Sequence, residues 1–130
     1  MKALIASLLL TAPVLAQDRQ MTADDFLNLV ETYTVTFVSE DTGATVGVER
    51  FLSRDRTVWA RADGSCTYGT VTARANKVCF LYEDTPSINW CWIPFEEAGE
   101  VYVQSTRSAH IQRLAHIGTQ PIGCDGEPLS

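Results

Sequence analysis

The stretch Tyr68–Glu83, YGTVTARANKVCFLYE, decides the fold of this chain. On both sides of the turn at Ala75-Asn76-Lys77, the side chains alternate with period two, and β-branched or aromatic residues prevail. Period-two alternation is typical of strands in a sheet. Because the connection is far too short for a crossover, the stretch predicts two antiparallel strands, Tyr68–Ala75 and Lys77–Glu83.

The same alternation continues on both sides of this hairpin. It predicts six further strands, which are Tyr33–Ser39, Thr45–Ser53, Thr57–Ala62, Trp90–Phe95, Val101–Thr106 and Ala109–Ile117. The connections are all short, so neighbouring strands should be antiparallel, and eight such strands can close into a small barrel. We therefore expect a mainly β fold, a small antiparallel eight-stranded meander or lipocalin-like barrel with one short N-terminal helix. A strongly curved open sheet capped by the helix is the alternative.

The predicted helix precedes the first strand. Thr22 and Asp25 have the spacing of a capping box, with Asp in place of the usual Glu, and an apolar stripe follows. These signals predict a helix over residues 23–31. The chain then divides into four segments: a signal peptide over 1–16, a flexible lead over 17–21, the helix and β-domain over 22–117, and a tail over 118–130 that a disulfide ties down.

The first residues have the three parts of a signal peptide. Lys2 supplies a minimal basic region, an apolar run follows at Ala3–Leu10, and small side chains precede a cut after Ala16. A membrane anchor is the alternative, but the apolar run is much shorter than the ~20 residues that a spanning helix needs. We therefore expect a mature protein that starts at Gln17. No Asn-x-Ser/Thr sequon occurs in the sequence, which favours the bacterial periplasm as the compartment.

The charge of the chain excludes several classes of partner. The formal net charge is −6, with ten basic and 16 acidic residues, and the bases are scattered. Such a chain lacks the electrostatic pattern of a nucleic-acid-binding protein and should avoid anionic lipid surfaces. We interpret the acidity as a source of solubility, with an acidic binding surface as the alternative. We expect a monomer that has no membrane span.

Four cysteines, Cys66, Cys79, Cys91 and Cys124, follow the signal peptide. An even number of cysteines in a small exported domain indicates disulfides, which leaves no thiol for catalysis or for metal. Of the three possible connectivities we expect Cys66–Cys91 and Cys79–Cys124. Cys66 and Cys91 open two strands at the same end of the predicted sheet, whereas Cys79 lies within reach of the flexible tail.

Three cysteine motifs occur together: D-G-S-C-T-Y-G at Asp63–Gly69, C-F-L-Y-E-D at Cys79–Asp84, and C-W at Cys91-Trp92. They resemble a family of small exported four-cysteine β-domain proteins of unknown function from Gram-negative bacteria. Further matches are Met21–Phe26, Glu49, Trp59 and Cys124, whereas Val71 stands where the family has tryptophan. The resemblance covers most of the mature chain. It implies a fold and an export context, and it implies no activity.

The chain offers little for catalysis. His110 and His116 are six residues apart on a predicted strand, which places them ~20 Å apart and excludes one shared metal. Ser65 lacks the Gly-x-Ser-x-Gly elbow of a hydrolase. The carboxylate pairs Glu83-Asp84 and Glu96-Glu97 lie at strand ends, where solvated turns are the ordinary explanation. We expect no enzyme activity, no metal and no cofactor.

An aromatic cluster is the strongest candidate for a site. Alternation places pairs of residues on one face of three strands: Trp59 and Arg61, Phe80 and Tyr82, and Trp90 and Trp92. Core packing is one interpretation. A barrel interior that binds a small apolar ligand is the other, with Arg50 or Arg61 at an anionic head group, and Glu49 could pair with an arginine.

Two functions follow from these observations. The first is a non-catalytic periplasmic interaction module, such as an inhibitor of an envelope enzyme, for which residues 17–21 or the loop Asp84–Asn89 should protrude. The second is a lipocalin-like carrier of a small apolar or amphipathic ligand. A carrier should have a cavity of at least ~300 Å³ lined by the tryptophans. The partner, whether a protein or a small ligand, is not specified by any motif.

Overall fold

A computed structural model describes residue 3, residues 7–9 and residues 19–124. The cleavage site expected after Ala16 and the residues beyond Cys124 lie outside the described residues. Within these ranges, no helix has the length and apolar character that crossing a membrane requires.

Eight antiparallel strands form a closed barrel, and every end of the predicted strands is confirmed to within two residues. The strands are β2 Thr34–Ser39, β3 Thr45–Phe51, β4 Arg56–Arg61, β5 Cys66–Arg74, β6 Lys77–Tyr82, β7 Trp90–Glu97, β8 Glu100–Ser105 and β9 Ile111–Gly118. Each strand pairs with the next one in the chain, and β9 pairs with β2. This last pairing closes the ring, so the open-sheet alternative is wrong.

A short additional strand, β1 at Arg19–Gln20, corrects the expectation of a flexible lead. Arg19 and Gln20 pair with Glu96 and Phe95 of β7, beyond the point where β6 stops pairing. This part of β7 would otherwise present unpaired backbone groups, and β1 covers them. Met21 continues the contact, because its backbone N–H donates to the carbonyl oxygen of Pro94 and its side chain is 5% exposed.

The predicted helix is confirmed as α1, Ala23–Val30. Thr22 caps it, because its hydroxyl oxygen accepts a hydrogen bond from the backbone N–H of Asp25 at 3.0 Å. The apolar stripe of α1 packs into the interior of the barrel, where the ring of Phe26 contacts that of Phe51 edge-on. The helix therefore covers one end of the barrel.

The tail after β9 packs on the outer face of the barrel. Ile122 is buried there against Val58 and Ala60 of β4, with Cys124 beside them. The hydroxyl of Thr34 donates to the carbonyl oxygen of Gln120 at 2.8 Å, which fixes the start of the tail. The tail thus adds a second, smaller apolar cluster on the outside of β3 to β5.

All four cysteines form disulfides, but the expected pairing is wrong. The bridges are Cys66–Cys124 and Cys79–Cys91. Cys79 and Cys91 lie directly opposite each other on β6 and β7, with their Cα atoms 4.0 Å apart. Cys66 and Cys91 are on strands separated by β6, hence ~10 Å apart, which exceeds the reach of a disulfide. Cys66 instead meets the tail on the outer face.

Candidate ligand-binding site

The barrel encloses a cavity of about 210 Å³, and Phe26 of α1 contributes to its lining. The six residues singled out in the sequence all line it: Trp59, Arg61, Phe80, Tyr82, Trp90 and Trp92. The alternation that pointed to one face of each of three strands, β4, β6 and β7, therefore places all six residues around one chamber. The remaining lining residues are Phe26, Phe37, Glu49, Val78, Thr85, Val103 and Gln112.

Two glycines make room for the largest side chains of this wall. A Cβ atom at Gly47 would lie 2.5 Å from ring carbons of Trp59, so that indole can lie across β3 only because residue 47 has no side chain. A Cβ atom at Gly69 would likewise lie 2.8 Å from a ring carbon of Tyr82. The two glycines thus set where both aromatic rings lie inside the barrel.

Glu49 carries the one carboxyl group among the described residues that line the cavity. Its side chain is 1% exposed, and its backbone lies opposite Trp59 in the register of β3 and β4. The hydroxyl of Tyr82 donates to Oε1 of Glu49 at 2.8 Å, whereas Oε2 is buried without a hydrogen-bond partner among the described residues. The expected pairing of Glu49 with an arginine is therefore wrong, and a phenol takes that place.

Burial governs the protonation of Glu49. Desolvation raises the pKa of its carboxyl group from 4.5 to about 8, against the opposing effect of the Tyr82 hydrogen bond. Desolvation, with the nearby Glu49 charge, likewise raises the pKa of Tyr82 well above its usual value. At neutral pH the carboxyl group is therefore mostly protonated, because the hydrogen bond from Tyr82 offsets only part of the cost of burying its charge.

The aromatic rings pack at defined angles around this carboxyl group. Phe37 meets Trp59 edge-on with ring centroids 6.1 Å apart, and Phe80 stacks on Tyr82 at 6.1 Å. Such arrangements contribute about 0.5–1.5 kcal/mol beyond area burial, so they hold the rings in place. The same rings therefore pack against the core and line the chamber.

Charged and polar groups surround the mouth of the cavity. The guanidinium of Arg61 forms an ion pair with Asp84, and the indole N–H of Trp90 donates to the hydroxyl of Thr85 at 3.3 Å. The guanidinium carbon of Arg107 lies 5.3 Å from the centroid of the Trp90 ring. Arg50, the other cation considered for a head group, does not line the cavity and donates to the hydroxyl of Thr34 at 3.2 Å.

The two histidines do not meet. His110 packs edge-on against Trp92 and lies 3.2 Å from the amide nitrogen of Gln112, whereas His116 contacts Gln120 near the other end of β9. Over residues 19–124, no three His, Cys, Asp or Glu side chains gather in a way that could hold a metal ion. The geometry thus provides a shaped, mostly apolar chamber with a single carboxyl group.

Comparison with known proteins finds no matching family model, no matching curated protein and no matching solved structure. The resemblance to the four-cysteine exported family therefore stays a prediction. Several wall residues escaped the sequence analysis, notably Phe26, Phe37 and Gln112. Phe37 and Gln112 could have been found from the alternation of their strands, whereas Phe26 reaches the chamber only because α1 covers the end of the barrel.

Proposed function

We propose that this protein is a non-catalytic, exported binding protein that holds a small amphipathic ligand inside a lipocalin-like barrel. The observation that carries the proposal is the convergence of the aromatic wall and the buried Glu49 on one chamber. Ligand sites are typically concave, mostly apolar and supplied with a few placed polar groups. This chamber is concave, it is mostly apolar, and Glu49 and Tyr82 supply placed polar groups.

The size of the chamber limits the ligand. Its volume is about 210 Å³, which is below the ~300 Å³ at the lower end of drug-sized sites. A long acyl chain would require the barrel to widen, and closed ladders on both sides of every strand resist widening. The proposal is therefore for a compact ligand, and it replaces the expectation of a larger carrier cavity.

The periplasm is the compartment that we propose. Both disulfides are of the kind that persists in an oxidising environment. We also propose that the apolar run and the small residues that precede the cut after Ala16 form a cleaved signal peptide. A monomer fits a site that lies wholly inside one barrel.

The interaction module, such as an inhibitor of an envelope enzyme, has weaker support. The loop Asp84–Asn89 is held against the barrel, since Asp84 pairs with Arg61 and Thr85 accepts from Trp90. Arg19 and Gln20 of the lead form β1, which pairs with β7. These contacts limit the freedom of Asp84, Thr85, Arg19 and Gln20 to insert into an enzyme cleft.

A cavity-filling variant tests the proposal. Val103→Phe adds a ring inside the chamber, and Leu81→Phe makes the same kind of change on the outer face of β6, where Leu81 is 42% exposed. We expect native mass spectrometry or calorimetry with a panel of small amphipathic molecules to detect binding to the wild type and to Leu81→Phe. Val103→Phe should no longer bind these molecules. Equal binding by all three proteins, or no binding by any, would refute an interior site.

A further inference from the structure

The proposed interior site also carries information on the class of its ligand. We infer that the chamber takes a small organic cation, and this inference rests on the proposed function. The ammonium head group lies among the aromatic faces, with Glu49 as its counter-ion. Seven of the lining residues are aromatic, and the one lining carboxyl group lies deep among them. Aromatic faces with an adjacent carboxylate are the chemistry that binds ammonium groups.

The first argument concerns the aromatic wall itself. The face of an aromatic ring has a negative quadrupole, and an indole face attracts a cation most strongly. Trp90 already has such a partner, because the Arg107 guanidinium carbon lies 5.3 Å from its ring centroid. A cation from within the chain therefore already occupies an indole face at the rim, and Trp59 and Trp92 offer two more indole rings in the wall.

The second argument concerns charge. Arg61 is the only cation that lines the chamber within the described part of the chain, and Asp84 neutralises it. When Glu49 is ionised, its charge is therefore the uncompensated one. An anionic ligand would lie beside that carboxylate, and a purely apolar ligand would leave Oε2 of Glu49 without a partner. A cation removes both penalties, because it offsets the charge and attracts the unpaired oxygen.

The third argument concerns size. An ammonium group with short substituents is nearly spherical and fits a chamber of about 210 Å³, whereas a chain long enough to span a carrier cavity does not. A quaternary ammonium would rely on the rings and on the field of Glu49. A primary ammonium would in addition donate a hydrogen bond to Oε2. Both share the cationic head group that the inference names.

Binding of a cation should release a proton from Glu49, because a nearby positive charge favours the ionised carboxyl group. The polar groups that act on the Glu49 carboxyl are Tyr82 of β6 and Thr57 of β4. Arg61, paired with Asp84, lines the same chamber. The other strands present uncharged side chains to the chamber: Phe37, Trp90, Trp92, Val103 and Gln112. The affinity for a cation should therefore rise with pH up to the Glu49 pKa of about 8.

Three probes of matched size test the inference on the mature protein with both disulfides formed. Choline carries the charge, 3,3-dimethylbutan-1-ol replaces its nitrogen by carbon, and hexanoate reverses the charge. A fourth probe, butylammonium, distinguishes a primary from a quaternary head group. Calorimetry at pH 8 should give choline or butylammonium an affinity at least about tenfold above that of the neutral alcohol, with hexanoate weakest.

The proton release gives a second readout. At pH 7 a carboxyl group with a pKa of about 8 holds roughly nine-tenths of a proton, so cation binding should release nearly one proton per ligand. Titrations in buffers of different ionisation enthalpy measure this number directly. Glu49→Gln keeps the shape and can still accept from Tyr82, yet it should lose both the cation preference and the proton release. The exposed Glu83→Gln is the matched control and should keep both.

The outcomes separate the two proposals. If the neutral alcohol binds as tightly as choline, or hexanoate binds more tightly, the inference of a cation is overturned while the interior site stands. If none of the four probes binds, the inference of a cation is overturned. If, in addition, Val103→Phe and the wild type bind every molecule of the amphipathic panel equally, or bind none, the proposed function fails as well. If Glu49→Gln does not fold, the proton release of the wild type decides, and a value near zero overturns the inference.

Discussion

Replacement of Glu49 by Gln should change how stability depends on pH. The folded protein holds the Glu49 proton up to a pKa of about 8, whereas the unfolded chain releases it near the ordinary value of 4.5. Between these values the folded state binds more protons, so the free energy of unfolding must fall as pH rises. Below pH 4.5 both states are protonated, and the stability that the neutral carboxyl contributes is fully present.

The magnitude follows from the two pKa values. Each pH unit in the middle of this window costs up to about 1.4 kcal/mol, and the loss between pH 5 and pH 7 amounts to about 2.5 kcal/mol. Glu49→Gln has no proton to lose there. The stability difference between variant and wild type should therefore shift by that amount in favour of the variant as pH rises from 5 to 7.

Urea denaturation followed by tryptophan fluorescence, with both disulfides intact, measures this difference at pH 5, 6 and 7. Other titrating groups are common to both proteins and cancel in the comparison. Glu83→Gln, at an exposed position, should track the wild type at every pH. A difference between Glu49→Gln and wild type that stays constant, or that moves in favour of the wild type with rising pH, would refute the account of a neutral buried carboxyl.

Three further expectations can be measured, two from the structure and one from the sequence. Trp92→Ala removes a partly buried wall ring that packs against the interior cluster, so it should lower the free energy of unfolding by about 3 kcal/mol, the lower end for a Trp→Ala change in a core, in a denaturation series; a loss below about 1 kcal/mol would mean that the ring contributes little to packing. The bridge of Cys66 spans 58 residues and that of Cys79 spans 12, so Cys66→Ala should cost more, about 4 against about 3 kcal/mol; the reverse order would contradict the connectivity. Intact mass after export should match a chain from Gln17 with no free thiol, and a lipid-sized increment would contradict that expectation.

The strands could be predicted because their evidence is local. Alternation along Tyr68–Glu83 or Trp90–Phe95 depends only on which face of a sheet is buried. The same local rule placed Trp59 and Trp92 on the inner face, and closure of the ring brought them to one chamber. Most of the candidate site could thus be predicted from the sequence, because the inward-facing residues of a small barrel share one interior.

Features that depend on which strands are neighbours could not be predicted from local sequence patterns. The pairing of Cys79 with Cys91 follows from their register across β6 and β7, which no local pattern states. The partner of Glu49 is Tyr82, three strands away in the ring, and not an arginine on a nearer strand. The two residues of β1 have no alternation to reveal them, since their strand exists only through its pairing with β7.

The pairing of β2 with β9 has a consequence for how the chain folds. All other ladders of the barrel join strands that follow each other directly, so they can form as hairpins soon after their turns. The seam between β2 and β9 instead joins ends of the domain, and the contact of Thr34 with Gln120 spans 86 residues. Closing so long a loop costs entropy that only the completed ring returns, so we expect the seam to form late. A bridge from Cys66 to Cys124 that forms before the seam shortens that loop, so we expect disulfide formation to accelerate folding as well as to stabilise the product.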